Sequence, residues 1–63
     1  MSTYKSRVVE EREELMAKLE RLHSFINSAH FNGVLVAEQL RLKRQASVME
    51  EYIGILRERI EAF

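Results

Sequence analysis

Apolar residues recur at helical spacing through two long stretches separated by one break. In the first, Val8, Leu15, Leu22 and Ala29 stand seven residues apart, with Arg12, Leu19 and Ile26 as a companion row four residues on. Tyr4, Val9, Met16 and Phe25 widen this stripe, and nothing in it alternates as a strand would. Ser2 and Thr3 are both able to cap a helix start. The second stretch is more regular: Leu35, Leu42, Met49, Leu56 and Phe63 form one row, and Gln39, Ala46, Ile53 and Ile60 the other. The spacing predicts helix one over about residues 3–28, a loop over about 29–34 and helix two over about 35–62, all within one domain of 63 residues. Helix two is then roughly 40 Å long and helix one about the same. A short loop makes them antiparallel, a helical hairpin.

The break reads Asn27-Ser28-Ala29-His30-Phe31-Asn32-Gly33. Gly33 is suited to the positive φ that ends many helices. Phe31 is expected to fold back over the end of the core. After it, Gly33-Val34-Leu35-Val36-Ala37 makes the loop end unusually apolar, a candidate contact site.

A hairpin leaves each helix covered from one side only. Helix two carries Val48, Tyr52 and Ile55 beside the row of Leu42, Met49 and Leu56, an apolar arc wider than one partner helix shelters. Exposed patches of that size are unusual on soluble monomers. The expected architecture is therefore all-α: an antiparallel two-helix hairpin that dimerises into a four-helix bundle. Val48, Tyr52, Ile55, Leu42, Met49 and Leu56 are the expected dimer interface. Three residues interrupt the rows. Arg12 is expected to snorkel and Gln39 to sit at the rim by the loop, or else both set pairing register. Gly54 lies within helix two, where something packing closely would explain it.

Composition narrows the function. Ten Lys and Arg balance ten Asp and Glu, so the formal net charge is zero, which argues against a general nucleic-acid binder. Hydrophobic residues make up 46%, too many for a disordered chain. There is no cysteine, hence no disulfide and no thiol nucleophile, and no apolar run of membrane-spanning length. The charges are unevenly placed. Glu10, Glu11, Glu13 and Glu14 fall level with Glu50 and Glu51, while Arg41, Lys43 and Arg44 fall level with Lys18 and Arg21. The second group is either a solvated surface or a docking belt for a phosphate or an acidic protein.

Catalytic motifs are not found. There is no phosphate loop, nucleophile elbow or Cys/His pair. Glu20 and His23 form a Glu-x-x-His, half of a di-iron pattern in four-helix bundles. They fall outside the main row, and helix two has no glutamate on its core rows, so no metal site, cofactor or enzymatic activity is expected.

Tyr4 through Leu15, Lys18-Leu19 to Phe25-Ile26, Phe31, and then Gln45, Met49, Tyr52, Ile55-Leu56, Arg59-Ile60 and Phe63 resemble the small helical proteins of tailed phages. Length and opening are similar to the early-region protein of lambda-like phages encoded by a sixty-three-codon open reading frame between the exonuclease and excisionase genes. The resemblance implies a non-enzymatic accessory protein in the cytoplasm of the infected bacterium, acting through a host or phage protein and bearing on the choice between lysis and lysogeny. No catalytic residues come with it. A second likeness is architectural: some phage helical hairpins assemble into oligomers that sequester cyclic nucleotide signals of bacterial defence. Lys18, Arg21, Arg41, Lys43 and Arg44 would then be the binding surface.

Overall fold

The computed structural model describes residues 3–63. Two helices, α1 (Tyr4–Ile26) and α2 (Val36–Glu61), lie antiparallel and are joined through a short 3-10 turn, Ala29–Gly33. The α1 start is well determined. The Thr3 hydroxyl accepts from the Ser6 N–H at 3.3 Å and the Ser6 hydroxyl accepts from the Thr3 N–H at 3.0 Å, a reciprocal cap that satisfies two amides. Ser2, the other expected cap, lies outside the described residues.

The end of α1 differs from expectation. No described residue, glycine included, has a positive φ. The helix instead stops at Asn27, whose N–H donates to the carbonyl of His23, and the Ser28 hydroxyl takes up the Phe25 carbonyl at 2.7 Å. These bonds occupy carbonyls that a left-handed glycine would otherwise have helped to satisfy. Gly33 therefore serves the turn and not the helix end. Helix two begins one residue later than expected and without a side-chain cap, because Leu35 stands at the capping position.

The core is a single seam. Leu19, Ala46 and Ile53 are buried together, with Leu15, Leu22, Ile26 and Met49 packed around them. Val8 and Leu56 are also buried, and Leu56 is completely enclosed. Phe31 folds back as expected: it is buried, and Phe25 meets it edge-to-face with ring centroids 5.9 Å apart. At the other end Tyr4 and Phe63 meet edge-to-face at 5.7 Å, with the Lys5 ammonium 5.6 Å from the Phe63 ring.

The two row-breaking polar residues fare differently. Gln39 lies beside the loop as expected, and its side-chain amide donates to the carbonyls of Phe31 (3.0 Å) and Val34 (2.8 Å). One side chain thus ties the turn to α2. Arg12 is half-buried, and its Nε is enclosed without a hydrogen-bond partner. Gly54 departs from expectation: a Cβ there would meet nothing within 4 Å, so nothing in the chain packs closely against it.

The rod measures 45 × 18 × 13 Å. Its thickness is that of about one helix with side chains, so each helix has a single neighbour. Accessible surface is 4986 Å², against about 4,200 Å² for a compact monomer of this mass. Part of the excess is apolar, since Leu40, Val48, Tyr52 and Ile55 are all exposed on α2.

Candidate functional site

Three surfaces are available, and each follows from where the helical repeat places its residues.

The first is the outward face of α2. Val48 is 58% exposed, Ile55 52% and Tyr52 42%. Tyr52 is held in place by its hydroxyl, which donates to the Glu11 carboxylate across the helix pair. Of the six residues expected at a dimer interface, these three face outward. Leu56 does not: it is wholly enclosed by the hairpin and cannot reach a second copy. Met49 packs against the Leu19 cluster, and Leu42 is half-buried. The reason is angular. Leu42, Met49 and Leu56 lie on the seven-residue row turned toward α1, and Val48 and Ile55 precede Met49 and Leu56 by one residue, about 100° around the helix.

The second surface is basic. Arg41, Arg44 and Gln45 flank a shallow recess of about 320 Å³ with Val48 and Met49. Lys18 is near the same level: Glu11 meets Tyr52, and Lys18 and Gln45 each lie seven residues, two turns, toward the loop from that pair. Arg21 is exposed one turn beyond Lys18 on α1 and does not line the recess. Lys43 is turned the other way, its ammonium 5.7 Å from the Phe31 ring. Arg41 is partly neutralised by Glu38, Nε to Oε1 at 2.7 Å. Of the five basic residues expected to act together, the fold brings Arg41 and Arg44 to one recess, keeps Lys18 near its level with Arg21 one turn on, and turns Lys43 to the Phe31 ring.

The third surface was not anticipated. A groove of about 660 Å³ runs along the opposite edge of the helix pair, with Met16, Leu19 and Ile53 as its apolar lining and Glu20, Ser24 and Arg57 among its polar groups. His23 reaches across it to Glu50, Nε2 to Oε1 at 3.2 Å. Glu20 and His23, weighed above as a metal half-site, both line it, but among the described residues no three His, Cys, Asp or Glu side chains are grouped to hold a metal ion. The sequence signal for the groove was present in the seven-residue spacing of Met16 and His23 along one edge of α1, but only the fold shows Glu50 and Arg57 opposite.

The chain matches the family described as Sequestin over residues 2–62, nearly its whole length. It belongs to the Sequestin family. A relative in Enterobacteria phage T4, described as an uncharacterized 7.5 kDa protein in the denB–rIIB intergenic region, is 40% identical over 63 residues, covering 100% of this chain and 98% of the relative. No solved structure matches. Membership of Sequestin and the T4 relative support a small phage protein. No helix among the described residues is long and apolar enough to cross a membrane.

Proposed function

We propose that this Sequestin protein is a non-enzymatic phage accessory protein that acts in the cytoplasm of the infected host by stoichiometric binding, withholding its target. The observation behind this reading is the uncovered apolar surface of the rod: Val48, Tyr52 and Ile55 on the back of α2, with Leu35 and Val36 at the loop end. Exposed apolar surface on a chain this small is costly in water unless something covers it. A second copy on the back of α2 makes a four-helix assembly, and the loop end is left for a host or phage protein. The family's name accords with withholding, and the phage relative accords with action during infection. An influence on the lysis–lysogeny decision would be one outcome of such binding.

A second reading keeps the assembly and changes the target to a cyclic nucleotide defence signal. The recess of Arg41, Arg44 and Gln45 beside Val48 and Met49 favours it, since it pairs guanidinium groups suited to phosphate with an apolar surface suited to a base.

One experiment tests both. The chain is recovered from infected cells and denatured, and the released proteins and small molecules are each identified by mass spectrometry. A stoichiometric protein supports the first reading, and a stoichiometric nucleotide supports the second. Recovery of the chain with neither refutes withholding.

A further inference from the structure

The outward face of α2 bears a symmetric row. Leu40, Arg44, Val48, Glu51 and Ile55 follow one another at spacings of three or four residues, on the side turned away from α1. Leu40 is exposed like Val48 and Ile55. The two charged members mirror each other about the Ser47–Val48 peptide: Arg44 lies four residues before Val48, and Glu51 four residues after Ser47. Leu40 and Ile55 mirror each other in the same way at eight. Among the described residues, neither Arg44 nor Glu51 makes an ion pair within its own chain.

We infer that α2 pairs antiparallel with α2 of a second copy, about a two-fold axis through the Ser47–Val48 peptide. That axis sets Arg44 against Glu51 of the second copy, twice per dimer. It sets Leu40 against Ile55, also twice, and the small Ser47 beside the bulkier Val48. A parallel pairing would instead oppose Arg44 to Arg44 and Glu51 to Glu51, like charge on like charge. The antiparallel arrangement puts the two α2 helices in the middle and the α1 helices outside, a layer of four helices in which each α2 is covered on both sides. Tyr52, fixed by Glu11, extends the contact at its edge. Arg44 also flanks the recess beside Arg41, so that recess lies at the edge of this contact.

This inference rests on the self-association proposed above and adds its orientation. The test is sedimentation velocity on the full chain over a concentration series, with far-UV circular dichroism as a check on folding. Arg44→Glu and Glu51→Arg are each expected to weaken association about tenfold, because every dimer loses two pairs and gains two repulsions. The double variant restores both pairs in reversed sense and is expected to associate like the wild type. A double variant no stronger than the singles overturns the antiparallel register, and so do singles that associate unchanged; in either case self-association itself survives. A wild-type chain that stays monomeric overturns both. A second readout covers variants that fold poorly. The chain has no cysteine, so under mild oxidation Leu40→Cys and Ile55→Cys chains are expected to cross-link when mixed and not when alone. Cross-linking of Leu40→Cys with itself would mark a parallel dimer and refute the inference.

Discussion

Gln39 makes a demanding test of how this hairpin holds its turn. Its amide donates two hydrogen bonds, to Phe31 and Val34, and among the described residues these are the side-chain hydrogen bonds that fasten the 3-10 turn to α2, beside the Lys43 ammonium over the Phe31 ring. Gln39→Leu keeps the volume and removes both donors. Each bond contributes about 0.5–1.5 kcal/mol net, so the pair contributes about 1–3. The site is half-buried, which lets water reach the freed carbonyls, and leucine adds some apolar contact. Both effects place the expected loss in the lower part of that range, about 1–2 kcal/mol. For a domain of this size a loss of 1 kcal/mol lowers the melting temperature by about 4–8 °C, so the expected drop is about 5–15 °C. The assay is thermal melting by far-UV circular dichroism at one fixed protein concentration, since self-association would make the midpoint concentration-dependent. Gln39→Glu should fall further, because a carboxylate would face two carbonyl oxygens with no proton to offer. A Gln39→Leu chain that melts at or above the wild-type temperature refutes the role given to Gln39.

Other substitutions separate the surfaces. Leu56→Ala removes a fully enclosed side chain and should cost about 2–5 kcal/mol, enough to lose much of the helical signal of so small a chain. Ile55→Asp, one residue away but outward, should keep the helical signal and abolish association by light scattering; equal loss of helix in both would erase the distinction between the two faces. Gly54→Ala should stabilise by about 0.5–1 kcal/mol, since the new methyl group meets nothing in its own chain, and a lowered melting temperature would contradict the open space there. Arg12→Leu should leave denaturant stability unchanged or raised, because it removes an enclosed Nε that has no partner; a changed assembly size would instead reveal a role in pairing register.

The two helices were legible from the seven-residue rows, because burial along one stripe is what those rows encode, and their antiparallel arrangement from the shortness of the break between them. Phe31 was legible for a similar reason, as an aromatic residue stranded in a polar break beside an apolar seam. The turn was harder. Gly33 invited a left-handed helix end, but Asn27 and Ser28 had already taken up the carbonyls, and a local hydrogen-bond competition of that kind leaves no periodic trace. Gln39 could be placed near the loop, yet its two acceptors depend on how the turn folds over it. The basic belt was read as one surface because its members share a level along the rod. Lys43, however, goes to the Phe31 ring and Arg41 to Glu38, choices fixed by neighbours and not by level. The groove at His23 and Glu50 needed both helices in register, which single-helix periodicity does not supply.

The meeting of Tyr4 with Phe63 brings the start of α1 and the last described residue to one spot. Over the described residues the backbone is thus almost a closed ring, and a short glycine linker from Phe63 to the start of α1 would be enough to join it. Circularising the backbone would restrict the unfolded chain far more than the folded one, so the joined molecule should resist heat better. Every outward-facing residue would stay where it is, which makes the circular form a way to ask how binding depends on surface alone.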